Sequence, residues 1–201
     1  VMIGGGPGTT GLNLAMGEWT PDPVPTTLAA QFSNLTGGDL IRGLGRTGSF
    51  KIDGAGQIYA AGFNPGGADF AESMDVAGSK ADYEPGDVLA IDAGGDRRVA
   101  KAAGEYSTSV AGIHATKPGV LASPYDAGDP RLVDDVPLAV VGIVPCKVTA
   151  VNGAIARGDL LVTSALPGHA MKGTDRTRML GAVVGKALQP LESGSGVIEI
   201  L

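Results

Sequence analysis

Aromatic residues are scarce: four Phe, four Tyr and one Trp stand in a chain of 201 residues that is 43% hydrophobic. The apolar mass is therefore Val, Ala, Leu and Ile, which suit close-packed strands and thin layers better than a large aromatic-walled pocket. Cysteine occurs once. A lone Cys146 excludes an internal disulfide and a cysteine-rich metal site, and its setting in Ile143-Val144-Pro145-Cys146 reads as a buried, inert thiol. The only histidines, His114 and His169, lie in unrelated segments without metal-ligand spacing. No metal and no cofactor are expected.

Basic charge is also short. The 15 Lys and Arg against 21 Asp and Glu leave a net charge of −6 at pH 7. They form no run of the kind that gives nucleic acid an electrostatic footprint, so nucleic acid is not an expected partner. The longest apolar run, 136–144, is broken by Pro137 and Gly142 and is too short to span a bilayer. No basic-then-apolar signal precedes Val1. The chain opens as an excised fragment would, with no targeting segment to read.

What the chain has in abundance is glycine and proline, 33 and 13 residues, together roughly twice ordinary usage. Breakers at that density argue for many short strands joined by tight turns and against long helices. Three zones follow. Residues 1–36 form a Gly-rich, then Pro-rich leader, with Pro21, Pro23 and Pro25 alternating and therefore extended or turning. Residues 37–67 read as a shaft-like β-hairpin unit: Ser49–Asp53 alternates apolar and polar, Gly54-Ala55-Gly56 turns, and Gln57–Ala60 continues. Asn64-Pro65-Gly66-Gly67 then reverses the chain.

Residues 68–201 read as a β-rich head. Its expected strands are Val88–Ile91, Val99–Ala102, Val110–Ala115, Leu138–Val144, Lys147–Val151, Leu160–Thr163, Ala182–Ala187 and Val197–Leu201, with one helical turn at Thr174–Met179. Pro85-Gly86-Asp87-Val88-Leu89 echoes Arg157-Gly158-Asp159-Leu160-Leu161, which suggests two related β-units in one barrel or sandwich. The fold class is mainly β: a short-strand barrel or sandwich head behind an extended, intertwined β shaft.

Most chemical motifs dissolve on inspection. Gly6-x-Gly8-x-x-Gly11 behind Val1-Met2-Ile3 superficially matches a dinucleotide fingerprint, which needs a helix starting at the glycines and an acidic residue about 20 positions on. Leu12–Trp19 allows at most two turns before the prolines, and Asp39 comes too late. A dinucleotide-binding enzyme using Gly4–Gly11 therefore remains a remote alternative. No Gly-Lys-Ser/Thr and no Gly-x-Ser-x-Gly nucleophile elbow occurs. Arg157-Gly158-Asp159 spells an integrin-type tripeptide, but the same turn chemistry recurs at Pro85-Gly86-Asp87, where Gly supplies positive φ and Asp accepts turn hydrogen bonds.

One segment stands out. Pro65-Gly66-Gly67 leads directly into Ala68-Asp69-Phe70-Ala71-Glu72-Ser73-Met74-Asp75. A strand would put Asp69, Ala71, Ser73 and Asp75 on one face and Phe70, Glu72 and Met74 on the other. On one reading Phe70 and Met74 pack inward, leaving Glu72 buried or at an interface, where it needs a partner.

Gly-Ala-Asp-Phe-Ala-Glu, a Pro-Gly-Asp-Val-Leu strand and Val-Ala-Gly-Ile together resemble the C-terminal intramolecular-chaperone autoproteolytic (G2 peptidase) domain of phage tail-spike and appendage proteins. Phe50–Ala60 looks like the last shaft repeat of such fibres, and 158–188 like their end domains. The resemblance covers about residues 48–201. It implies a homotrimeric fibre module, extracellular or virion-associated, that could meet a cell-surface glycan or protein. It also implies, as the alternative, a self-cleaving chaperone cutting once at Ala68–Asp69 with Asp69 and Glu72 as catalytic carboxylates. The family's further acidic residue falls at Met74 here, and Asp75 comes one residue late.

Overall fold

A computed structural model describes residues 39–44, 49–60, 66–125 and 129–201. The leader at 1–36, with Gly4–Gly11, lies outside them. The chain divides between Phe63 and Asn64 into two units, and the protein is mainly β.

In the first unit, β1 (Asp39–Leu44), β2 (Ser49–Asp53) and β3 (Ile58–Ala60) form one antiparallel sheet. The expected hairpin is β2–β3, with Phe50 opposite Ala60 and Ile52 opposite Ile58. Its turn is fastened by Asp53, whose Oδ1 accepts from the N–H groups of Ala55 and Gln57, each at 3.0 Å. β1 was not expected from the sequence.

The second unit contains two closed barrels of identical topology. The first uses β4 (Asp69–Val76), β5 (Val88–Ile91), β6 (Arg98–Lys101), β7 (Val110–His114) and β9 (Val136–Gly142), with the short β8 (Val120–Ala122) appended to β4. The second uses β10 (Val144–Thr149), β11 (Leu160–Thr163), β12 (Ala170–Lys172), β13 (Val183–Lys186) and β14 (Ser195–Ile200). In each barrel the first strand pairs antiparallel with the last and parallel with the third (β4 with β9 and β6, β10 with β14 and β12). The ring closes in the first barrel through β7–β9 and in the second through the Ala187–Ile200 bridge.

The match extends to register. Leu89 pairs with Lys101 as Leu161 pairs with Lys172, and each barrel carries an irregularity just after that leucine. Gly86 and Gly158 adopt φ of 91° and 89°, and each donates its N–H to the corresponding carbonyl, His114 or Ala187. The echo read from the sequence is therefore a duplicated barrel, two closed rings rather than one. Only Ile143 separates the last strand of one copy from the first of the other. The expected strand 138–144 is accordingly split at Gly142, whose φ is +125°.

An apolar cluster joins the two rings, beside a separate one within the first. Ala71, Val88, Ile113, Val144, Val148 and Leu161 are buried in one cluster that spans both; each fully buried Val or Leu contributes roughly 1.5–3 kcal/mol relative to exposure. Tyr106, in the β6–β7 loop, crosses to the second barrel and packs with Val162 and Met171. Its hydroxyl accepts from the N–H groups of Thr174 (2.9 Å) and Asp175 (3.0 Å). Thr174–Met179, expected as one helical turn, holds only a plain turn at 176–178. Strands β8 and β12 are too short to register as patterns and were not expected.

The barrels differ most in one connection. The second passes from β13 to β14 through residues 187–194, whereas the first spends 115–135 between β7 and β9. This insertion holds β8 and a 3-10 turn at Pro130–Val133.

Two equivalent glycines test the duplication. A methyl at Gly112 would land on the Ala139 carbonyl oxygen, and one at Gly185 would lie 2.8 Å from that of Leu201. We expect Gly112→Ala and Gly185→Ala each to destabilise by about 1–3 kcal/mol, the usual cost of forced overpacking. Urea midpoints of the two variants measure this, and an unchanged midpoint in either would contradict the equivalence.

Candidate functional site

The strand that carries the sequence-nominated carboxylates begins the first barrel. Asp69, Ala71 and Ser73 are buried and Phe70 is exposed, against the reading that packed Phe70 inside. Ala71 lies opposite Ala139, and both are buried in the cluster that reaches the second barrel's strands. Met74 does pack partly against the Val76 cluster. Glu72 is neither buried nor at a described interface. Its carboxylate is partly exposed and lies 3.6 Å from the Arg97 guanidinium.

Asp69 and Glu72 consequently sit on opposite faces of β4, and the strand does not bring them together. Asp69 is the unusual member. It is 8% exposed, and its Oδ2 is buried without a hydrogen-bond partner. Burial pushes its carboxyl above the ordinary aspartate range, and its own backbone N–H opposes this only in part. The surrounding backbone is tight: Gly119 N–H donates to the Asp69 carbonyl at 2.8 Å. A methyl on Gly142 would meet the Ala68 carbonyl oxygen at 2.5 Å and Asp69 Cα at 2.6 Å. The arrangement is a protonatable carboxyl held against its own preceding peptide bond.

A second polar centre lies where the barrels meet. Asp87, 1% exposed, accepts from Lys147 Nζ (2.8 Å), from Lys101 Nζ (3.0 Å) and from Glu84 N–H (2.8 Å). Burial alone would raise the Asp87 carboxyl, but these three donors outweigh it and hold it low. Lys147 belongs to β10, so this ion pair ties the second barrel to the first; the Lys147 N–H also donates to the Gly86 carbonyl. Asp159 repeats the local half of the pattern, taking Ala156 N–H at 2.7 Å and Lys172 Nζ at 2.9 Å. Within Arg157-Gly158-Asp159 the aspartate is thus engaged by its own barrel.

The remaining sequence candidates fall into structural places. Cys146 is fully buried and its thiol is pushed well up by burial. His169 Nδ1 lies 2.9 Å from the Pro167 carbonyl oxygen, at a turn. His114 is buried with Nδ1 unpartnered, and burial lowers its pKa against the pull of Asp87.

Sequence reasoning missed a third feature. Ser73 Oγ donates to Asp135 Oδ2 at 2.7 Å in a buried pair, at the floor of an open cavity of about 310 Å3. The partners lie 62 positions apart, and nothing local marks them. Among the described residues, no group of three His, Cys, Asp or Glu is placed to hold a metal ion, and no helix is long and apolar enough to cross a membrane.

This fold and these sites define a mainly β protein built on a duplicated five-stranded barrel. No family model matches the sequence, and no curated protein is significantly similar to it.

Asp69 sets a test with a definite sign. Its folded pKa is raised, so the fold favours the neutral acid, and stability declines as pH rises above the unfolded value of about 3.9. Asp69→Asn removes that ionisation. The variant should melt above the wild type at pH 7, with the gap closing below about pH 4; calorimetric scans across that range check it, and a constant gap would refute the assignment.

Proposed function

We propose that this chain is a structural and assembly module of an oligomeric fibre, a homotrimer that works extracellularly or on a virion and meets a surface glycan or protein. The observation that carries this reading is apolar surface left uncovered by the second unit. Phe70 is 38% exposed and its strand partner Val141 67% exposed. Val140 and Val141 run into a cleft of about 220 Å3 that Val184, Ile200 and Leu201 also line. Contiguous patches of this kind mark protein interfaces on soluble molecules, and cyclic self-association is the common way to cover them. The three-stranded sheet supports the same reading independently: Phe50, Ile58 and Tyr59 are all exposed, apolar side chains that a neighbouring chain would cover. The resemblance to phage fibre end domains agrees with both.

Light scattering on the full chain tests this. A mass of three chains is expected. Val141→Asp, at an exposed site, should shift it toward the monomer while leaving the β circular-dichroism spectrum intact. A wild-type monomer at micromolar concentration would end the proposal.

The buried Asp69, with its Oδ2 unpartnered, favours a second reading, a self-cleaving chaperone. In it Asp69 acts as general acid and base for hydrolysis of Ala68–Asp69, and Glu72, on the other strand face beside Arg97, takes no part within the chain. One water is consumed, the peptide C–N bond breaks, and the products are a new carboxylate at Ala68 and a new amine at Asp69. A carboxyl kept protonated by burial is suited to such proton transfer. Incubated native protein should then yield fragments 1–68 and 69–201 by mass spectrometry. Asp69→Asn should abolish them and Glu72→Gln should leave them unchanged; an intact wild-type chain after prolonged incubation in its native oligomer counts against this activity.

A further inference from the structure

The cavity over Ser73 and Asp135 is built almost wholly from what the duplication did not supply. In the second barrel the positions matching Ser73 and Asp135, read through the strand registers, are Pro145 and Val197. The fold therefore closes without a buried serine–aspartate pair. Burying one costs free energy unless its hydrogen bonds are completed. Of the remaining walls, Tyr125, Arg131 and Asp134 come from the insertion between β7 and β9, and Asp96 and Arg97 from the β5–β6 turn. Arg97 holds its place with a left-handed backbone, φ 51°.

The chemistry of the lining narrows the ligand. Arg97 and Arg131 offer only donors, while Asp75, Asp96, Asp134 and Asp135 offer only acceptors when ionised. A simple cation would meet the two guanidiniums, and no three of the carboxylates are placed to share a metal ion. A simple anion would meet four aspartates. Both arginines are moreover turned partly to carboxylates outside the cavity: Arg97 to Glu72 at 3.6 Å, and Arg131 to Asp129 through Nε at 2.9 Å and Nη2 at 2.6 Å. The aspartates have no such cation, so the cavity keeps an acidic balance. Arg131 lies over the Tyr125 ring at 3.8 Å, which fixes an aromatic wall beside the donors.

Interleaved donors and acceptors in planar, bidentate groups match adjacent hydroxyls on a small rigid frame. A volume of about 310 Å3 is at the small end of ligand pockets and suits a single sugar ring.

We propose that this cavity binds the terminal residue of a glycan, a neutral or amino-bearing pyranose, with acidic sugars excluded by the aspartates. Ser73 and Asp135 form the floor that meets adjacent hydroxyls, and Asp96 and Asp134 are the rim acceptors. The site extends the surface-binding part of the fibre reading, but its geometry lies within one chain and stands without the oligomer.

Saturation-transfer NMR on the full chain tests it, with glucose, galactose, N-acetylglucosamine, glucosamine and N-acetylneuraminic acid as separate probes at tens of millimolar. Transfer is expected from at least one neutral or amino sugar and not from N-acetylneuraminic acid. The exposed rim pair Asp96→Asn with Asp134→Asn should weaken binding about tenfold, the loss of one charge-assisted hydrogen bond, while Glu192→Gln in the second barrel leaves it unchanged. No transfer from any neutral or amino sugar overturns the proposal. So does transfer that survives the rim substitutions, or equal transfer from N-acetylneuraminic acid. Light scattering on the same sample separates the two readings: a sugar-binding monomer refutes only the oligomeric fibre, and a trimer that binds no sugar refutes only this site.

Discussion

The second unit depends on one arrangement made twice, once in each barrel: the first strand lies parallel to the third while also pairing with the last. A strand that serves two neighbours turns an open sheet into a ring, and a ring leaves no row of unpaired backbone groups along that circuit. β4 does this between β9 and β6, and β10 does it between β14 and β12. Parallel pairing requires a crossover, and the Gly86-Asp87 and Gly158-Asp159 turns lie in those crossovers. In each, a glycine at positive φ gives its N–H across the ring, and an aspartate gathers a local N–H and a lysine. The turn is thus an integral part of closure.

Duplication also explains where polar groups are tolerated inside. Asp87 is nearly inaccessible yet ionised, because Lys101, Lys147 and a backbone donor replace the water it lost. Lys147 occupies the strand position that Asp75 holds in the first barrel, so the cation that reaches Asp87 across the boundary has no counterpart in the other copy. Breaking a buried pair of this kind by removing one member ordinarily costs about 3–5 kcal/mol. That makes the junction a specific joint as well as an apolar one. Asp69 and the Ser73–Asp135 pair are different in kind. Neither repeats in the second barrel, and neither is needed for closure.

Much of this was legible beforehand. Gly and Pro density with a Val/Ala/Leu/Ile core announced short strands, and the strands at Val88, Val110 and Leu160 were readable because each alternates or runs apolar between clear turn residues. The echo of Gly86-Asp87 and Gly158-Asp159 disclosed two related units. β8 and β12, at three residues each, carry too little pattern to be seen. On β4 the face of Met74 and Val76 does pack into the first barrel, but Phe70, at the strand's start beside exposed Val141, is left outside it.

The sequence by itself determined the strand-rich class, the duplicated turn chemistry, the inert cysteine and the shortage of basic charge, because these follow from composition and from neighbours close along the chain. Only the tertiary structure decided that the echo means two closed rings. It alone buried Asp69 and left Glu72 partly exposed, carried Lys147 across to Asp87, and set Ser73 against Asp135. Such facts depend on which strands pair, in what register, over separations of sixty residues or more, and no local pattern encodes that choice.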